Sequence, residues 1–552
     1  MSNHTAMNAV ASTAGESYVA SSSRVLGDWL REEARADPNR KFVQCGSPWM
    51  SLAELDRQSD RLAAGLQSIG LEKGDRLAIM LQNRIEYVIL VFACAKAGVV
   101  QVPINPYLRG EFLRHQLAQS QSRVIVADGL GMQQIAPLVD QLPELRHRVL
   151  VGEPVPGDVE SPHDKLFSTL AATQAEPEPV VLKPSDLCVI MYTSGTTGPS
   201  KGCMISHGYY CYIPGAFIAA GWCGRGDVIF GATPMFHFSG QVWLVAMALA
   251  AGGSAVVEPS FSATTFMQRA AETGANVLMG MGAMAMAIMA RPPSEKDKQH
   301  SIRQATWVPM TEEKQNEFYA RFGVQVISEV YGQSECWPST LGVLGARRKL
   351  ASLGRVIPGM QVRLVDEDDN EVPVGEVGEI TVRPDRPNMV FQGYWNDPEA
   401  TVKSFRNLWH HTGDNGRFDE DGFLYFADRK KDSLRRRGEN VSSIELEQAV
   451  MRHPGVFQAA AHSVPSELTE DEVKVCIVRA QDAEVDIKEL FEFFKKSIPY
   501  YAIPRYVEFL DVLPANINGR VQKFVLRERG ITPETIDLEA LGLVVEKSER
   551  RT

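Results

Sequence analysis

Little in this chain is arranged to hold a structural metal or a crosslink. Its eight cysteines, at positions 45, 94, 188, 203, 211, 223, 336 and 476, form no C-x-x-C pair and adjoin no histidine-rich segment. That pattern excludes a zinc module and a disulfide framework and fits a reducing, cytoplasmic setting. Positive charge is not in excess either: the formal net charge is -11, which argues against a nucleic-acid binder. The basic stretch running from Arg429 to Arg437 is therefore local and needs its own explanation. Residues 1–24 are small and polar with no apolar centre, which predicts a flexible tail rather than a signal peptide. One uncharged run, "GQVWLVAMALAAGGSAVV" at 240–257, is long enough to test as a membrane span. Ala-Gly-Gly at 251–253 interrupts it, so a buried helix followed by a strand is the better reading, with no membrane span.

What is present is an ordinary globular composition, 44% hydrophobic and 23% charged over 552 residues. That length exceeds what one core accommodates and predicts more than one domain. From residue 52 strand and helix patterns alternate ("DRLAIML", "RIEYVILVFACAKAG", "VVQVPI", "FLRHQLAQSQ", "SRVIVAD") and continue through "DVIFGATPMF", "GSAVVEP" and "ANVLMGM". Alternation of this kind means an α/β layer fold. Near 360 the texture changes to two alternating strands about an acidic turn, a β-rich lobe spanning about 355–430. After 431 a mixed set of helices and strands predicts a small α+β domain. The fold class is thus α/β: a large N-terminal domain of layered α/β subdomains over 25–430, a small mobile C-terminal domain over 431–530, and a tail over 531–552.

The stretch "MYTSGTTGPSKGCMISH" (191–207) leaves the apolar run "DLCVIMY". Gly195, Gly198 and Gly202 free backbone N–H groups to turn toward one point. Thr193, Ser194, Thr196 and Thr197 add hydroxyls and Lys201 adds a charge, a combination suited to a polyphosphate. The order of glycines and lysine is not that of the G-x-x-x-x-G-K-[ST] loop, which weakens a kinase or ATPase reading. A flexible surface turn is the bland alternative.

Further motifs follow in order: "TPMFHFSG" (233–240), "EVYGQSE" (329–335), "WHHTGDNGRFDEDGFLYFADRKKD" (409–432), "RRRGENVSSIELE" (435–447) and "LPANINGRVQKFVLRE" (513–528). Together with the glycine-rich loop they resemble the adenylate-forming superfamily of acyl-CoA synthetases, peptide-synthetase adenylation domains and luciferases, over roughly residues 25–530. Within it the chain resembles the acyl-CoA ligases, and "RGENVSSIELE" is most similar to their carnitine/crotonobetaine-CoA ligase branch.

The resemblance implies an enzyme dependent on ATP and Mg²⁺. A carboxylic acid attacks the α-phosphate of ATP, pyrophosphate leaves, and the thiol of CoA displaces AMP from the acyl-adenylate. It assigns the loop from Thr193 to Lys201 to the β- and γ-phosphates. In "YGQSE", Tyr331 lies against adenine, Gly332 and Gln333 complete the nucleotide wall, Ser334 meets the α-phosphate and Glu335 binds the metal. Asp414 accepts from the ribose hydroxyls, Arg429 donates to the same sugar, and Lys431 is the hinge of the small domain. Arg435, Arg437, Gly438 and Glu439 contact CoA. His237 guides the thiol, and Phe236, Phe238, Gly280, Met281 and Gly282 line the acyl pocket with the Met-rich segment 276–290. Taken singly, Tyr331 reads equally well as a core aromatic, the arginines as a solvated basic face, and Met286 and Met289 as a core stripe.

Two departures stand out. In "ATWVPMTEEK" Trp307 and Val308 occupy positions that relatives keep small beside the adenine. Where relatives carry a catalytic lysine after a glycine, this chain has Arg520, a planar fork in place of a compact ammonium. Lys523 follows three residues later, about 10 Å away if extended and on the opposite face. The rival readings are an enzyme that only adenylates, passing the acyl group to a carrier protein or a downstream transferase, and a non-catalytic nucleotide-binding relative. The reading leaves room for a homodimer.

Overall fold

The computed structural model describes residues 20–46, 48–153, 164–193, 199–429, 433–436, 439–466, 472–481, 483–514 and 521–550. Local chemistry sets the element ends. Helix Leu52–Ser68 begins at Ser51, whose side chain accepts from the Glu54 N–H while the Glu54 carboxylate takes the Ser51 N–H at 2.7 Å, a reciprocal cap. Helix Ile85–Ala97 is apolar nearly all round and buried, and it stops at Gly98, where φ is +69°, a conformation glycine adopts without strain.

Two seven-stranded sheets form the large domain. In the first the spatial order is Asp164–Leu166, His147–Leu150, Val124–Ala127, Arg76–Met80, Val100–Pro103, Leu187–Thr193, Lys201–Ser206, parallel except for the last pair. In the second it is Gln325–Ile327, Gln304–Val308, Val277–Met281, Val228–Gly231, Ser254–Val257, Lys41–Gln44, Met50–Ser51, again parallel except at the last pair. Parallel strands covered by helices on both faces read as continuous apolar runs, as these do.

The β-rich lobe pairs Met360–Val365 with Gly378–Pro384, and Gly378–Pro384 with Trp409–Phe418, which also carries Phe405–Arg406 and Leu424–Arg429. The small domain has a four-stranded sheet, Val456–Val464, Glu472–Arg479, Tyr506–Phe509 and Ile536–Asp537, beside the ribbon Ser433–Arg436 with Glu439–Ser442. Beyond residue 530, where the sequence suggests only a tail, Ile536–Asp537 supplies the fourth strand, and Asp537 takes an ion pair from Arg505 at 2.9 Å.

The uncharged run at 240–257 becomes a helix and then a strand. Its helix has an unforeseen feature: a π-helical turn, Gln241–Ala246, precedes Met247–Ala251, and Gly252 at φ +66° leads into Ser254–Val257. No helix among the described residues is long and apolar enough to cross a membrane.

Candidate active site

In parallel α/β sheets the crevice at the carboxyl ends of the strands is where ligands bind. Here one cavity of about 1040 Å³ lies at that edge of both sheets. Asn83, Asn105, Thr233, Pro259, Met281 and Pro309 all line it, each at or just past the end of a parallel strand. The small domain closes another side with Glu439, Val441, Glu445, Tyr500, Tyr501 and Ala502.

Two carboxylate–phenol pairs mark the polar corner. Asp414 Oδ2 accepts from Tyr331 Oη at 2.9 Å and from Gln333 Nε2 at 2.8 Å. Glu335 Oε1 accepts from Tyr394 Oη at 2.8 Å. Burial first, then the neighbouring carboxylate, raises both phenol pKa values well above the ordinary range, so each tyrosine stays a neutral donor. Lys201 Nζ stands 5.2 Å from the centroid of the Tyr394 ring, tying the phosphate motif to Glu335 through one aromatic side chain. Thr193 and Lys201 face each other in register at the mouth of the hairpin. Gly332 and Ser334 also line the cavity, and Tyr209 Oη holds the Ser334 carbonyl at 3.2 Å. Ser194 to Gly198 lie outside the described residues. Arg429 is opposite Asp414 in the strand register.

The remaining wall is apolar. Phe236, Phe238, Trp243, Met281, Met284 and Trp337 line it, with Trp243 and Trp337 centroids 5.4 Å apart. Asn83 holds the loop that carries Phe236 and His237: its Nδ2 donates to the Thr233 carbonyl at 3.1 Å, and its Oδ1 accepts from Met235 N at 2.8 Å.

Three expectations for this wall need correction. Gly280 does not reach the cavity, because it makes room for Trp307: a Cβ there would come within 2.4 Å of the indole. Gly282 likewise faces the Pro309 backbone, 1.8 Å from where its Cβ would be. Trp307 is wholly buried in the core between Phe266 and Phe318. Strand alternation turns only Val308 to the cavity. The altered shelf is thus one valine, not a tryptophan.

At the domain junction His237 Nε2 lies 2.9 and 3.0 Å from the two Glu439 carboxylate oxygens, so the "FHF" and "GEN" motifs meet. Of the arginine run, Arg436 turns away from the site: it is buried, paired to Glu472 at 2.5 Å and bonded to the Ile503 carbonyl. The Arg435 backbone pairs with Asn440. Lys431, Arg437, Gly438 and Arg520 lie outside the described residues. Lys523 is described, and it does not line the cavity. Its Nζ is held inside the small domain by Glu447 Oε1 at 2.6 Å and Ser443 Oγ at 2.7 Å. Sequence reasoning passed over Asn83, Tyr394 and Glu445. Tyr394 sits in "FQGYWND", whose backbone pairing with residues 202–204 brings it beside the phosphate motif.

The chain belongs to the AMP-binding enzyme family: the family's model matches residues 30–395, and the model of the AMP-binding enzyme C-terminal domain matches 445–520. It is similar to a crotonobetaine/carnitine--CoA ligase of Salmonella heidelberg (strain SL476), 31% identical over 86% of this chain and 92% of the relative. One of the same name from Shigella dysenteriae serotype 1 is 30% identical over 85% and 92%. Among solved structures, ATP-bound MatB from Rhodopseudomonas palustris is 28% identical, with a TM-score of 0.66 over 91% of this chain and 98% of that one. The o-succinylbenzoate CoA synthetase from Bacillus subtilis, bound with a product analogue, is 25% identical with a TM-score of 0.78 over the same shares.

Proposed function

We propose that this chain is an AMP-forming acyl-CoA ligase acting on a bulky carboxylic acid with an apolar body. The observation that carries the reading is one cavity in which the phosphate motif, the "YGQSE" and "TGD" carboxylates and the His237–Glu439 pair converge beside an apolar wall. In the first half-reaction a carboxylate oxygen of the acid bonds to the α-phosphorus of ATP as the bond to pyrophosphate breaks. Lys201 neutralises the departing phosphates, Ser334 positions the α-phosphate, Tyr331 lies along the adenine, and Asp414 and Arg429 hold the ribose.

The donor set fits Mg²⁺. Among the described residues no cluster of three metal-ligating side chains forms a protein cage, and a single carboxylate, Glu335, combined with phosphate and water oxygens suits that ion. When bound it supplies charge neutralisation to the phosphates. In the second half-reaction the thiol sulfur of CoA bonds to the acyl carbon as the bond to AMP breaks. His237, fixed by Glu439, orients the thiol at the edge of the acyl pocket. The apolar side chains of Phe236, Trp243, Met284 and Trp337 favour an acid with an apolar body.

The test is incubation with ATP, Mg²⁺ and a panel of aromatic and aliphatic acids, with and without CoA. Acid-dependent pyrophosphate release with acyl-CoA as product is expected. Adenylate that accumulates and never reaches CoA would favour the adenylating-only alternative, and no acid-dependent release from any member would defeat the proposal.

A further inference from the structure

The segment after residue 530 lies beyond the stretch matched by the C-terminal domain model, which ends at 520, and it does more than add a strand. Past Ile536–Asp537 the chain returns to the cavity and forms a short 3₁₀ helix, Lys547–Glu549. Side chains three apart on such a helix lie one over the other, and Lys547 and Arg550 both line the cavity. Their placement is fixed from two sides. The Glu549 carboxylate takes Lys495 Nζ at 2.7 Å and the Glu546 N–H at 3.1 Å. From the large domain the buried Arg109 donates to the Arg550 carbonyl at 3.0 Å and to the Lys495 carbonyl. The Arg550 guanidinium lies 4.8 Å from the centroid of the Tyr500 ring, which meets Tyr107 edge-on with centroids 5.0 Å apart. A guanidinium seated on an aromatic ring is held in place with its charge intact. What the arrangement omits is a counter-ion. Among the described residues neither Lys547 nor Arg550 pairs with a carboxylate, and Arg550 Nε is buried without a hydrogen-bond partner. The carboxylates of Glu549, Glu439 and Glu111 are engaged by Lys495, by His237, and by Arg114 and Arg452. In a chain of net charge -11, two placed cations that face one cavity without a carboxylate mark a site for an anion.

We propose that Lys547 and Arg550 bind the phosphates of CoA, so that the segment following the family's C-terminal domain holds the nucleotide end of the thiol substrate. Two substrates bring phosphates to this cavity in the function proposed above, on which the inference rests. Those of ATP belong to the corner of Lys201, Ser334 and Glu335. Lys547 and Arg550 instead stand with Tyr500 on the side closed by the small domain, the side from which Glu439 reaches His237 and the thiol. CoA carries a 5′-diphosphate and a 3′-phosphate at the end opposite its thiol, so a thiol at His237 leaves those groups to be met further out. Lys547, exposed at the rim, and Arg550, half-buried behind it, offer charge-assisted donors there.

The test needs no identified acid. Full-length protein is titrated calorimetrically with CoA, with 3′-dephospho-CoA and with ATP in the presence of Mg²⁺. Lys547→Ala combined with Arg550→Ala is expected to raise the Kd of CoA about tenfold or more, to raise that of 3′-dephospho-CoA by a smaller factor, and to leave that of ATP within about twofold. Lys547→Arg with Arg550→Lys, which keeps both charges, should hold the Kd of CoA within about threefold of the parent. Should the double alanine variant fail to fold, Lys547→Ala alone, at an exposed position, is expected to raise the Kd of CoA about threefold. A variant with a lowered thermal midpoint and unchanged affinity for CoA would give the tail a structural role only and overturn the proposal. A Kd for ATP that rises as much as that for CoA, or a parent protein that does not bind CoA, overturns it as well. Acyl-CoA formation by the unsubstituted enzyme is scored separately. Turnover with CoA affinity indifferent to the double alanine substitution sinks this inference alone, and substitution-sensitive CoA binding without turnover sinks the ligase reading alone.

Discussion

Tyr331 and Tyr394 use the same chemistry at two points of the site, a neutral phenol donating to a carboxylate to which the proposed function gives a substrate. The Tyr394 bond fixes the Glu335 carboxylate and the ring also faces Lys201, so Tyr394→Phe should keep the ring contact and loosen the carboxylate. Acid-dependent pyrophosphate exchange is expected to fall about tenfold, against about tenfold to a thousandfold for Lys201→Ala or Glu335→Ala, the range for one preorganised electrostatic contact. Exchange at the unsubstituted rate in a folded Tyr394→Phe protein would remove it from the site.

A different residue-scale effect comes from His207. Burial lowers its pKa to about 4, and its Nδ1 accepts from Leu26 N at 3.4 Å, an arrangement that needs the neutral ring. Because the folded value lies below the unfolded one, its stabilisation is complete above about pH 6.5 and is lost as pH falls toward 4, to the extent of about 3 kcal/mol. The thermal midpoint should drop between pH 7 and pH 5, and His207→Gln, although less stable at pH 7, should show a smaller drop. An identical pH dependence in the two proteins would show that His207 does not set it.

At the scale of elements, periodicity carried the central strands of both large sheets, such as Arg76–Met80, Val124–Ala127 and Val277–Met281, because buried parallel strands announce themselves as apolar runs between turn signals, while outer strands such as His147–Leu150 and Gln325–Ile327 did not. Parity was also there to be read. Met281 and Val308 face the cavity while Gly280 and Trp307 lie on the opposite face of the paired strands, in register with each other, so alternation alone separates the wall from the core. The motifs placed Asp414, Tyr331, Glu335 and His237 in one region. The contacts of Tyr394 with Glu335, 59 positions apart, and of Glu445 with Ser200, 245 apart, were not legible, since no local pattern encodes which distant side chain completes a hydrogen bond.

Lys523 shows the same limit. Spacing made it a poor stand-in for the catalytic lysine but gave no sign of its partner: it bridges the start of helix Lys523–Arg529 to Glu447 in helix Ser443–Val450. Burial already raises the Glu447 carboxyl pKa and Lys523 opposes the rise, so removing the lysine leaves that carboxyl in its site without its partner. Lys523→Met should therefore lower the stability of the small domain by about 1–3 kcal/mol, visible as a reduced thermal midpoint and faster proteolytic cleavage between the domains. Loss of adenylation in a Lys523→Met protein of normal stability would return the residue to catalysis.

On the scale of the whole molecule, one small domain has to serve two reactions at one cavity. The orientation described puts Glu439 against His237 and Glu445 against Ser200, while the face carrying Lys523 is turned into the small domain's own packing. This arrangement suits transfer to CoA. We propose that adenylation brings the segment "NGRVQK" to the α-phosphate in a second orientation, reached by rotation near Lys431. Two substitutions on opposite faces should then separate the half-reactions. Arg520→Ala removes the charge that replaces the usual lysine and should cut adenylation by about a hundredfold, leaving thioester formation from supplied acyl-adenylate within about twofold. Arg520→Lys should keep or raise adenylation. Glu439→Gln should do the reverse of Arg520→Ala, slowing transfer to CoA about tenfold through loss of the charged partner of His237 while pyrophosphate exchange stays near normal. Lys431→Pro, which fixes φ at the hinge, should impair one half-reaction far more than the other. The measurement is each half-reaction in single turnover. If Arg520→Ala and Glu439→Gln depress both steps in equal proportion, the two faces are not used in turn and the small domain works from a single orientation.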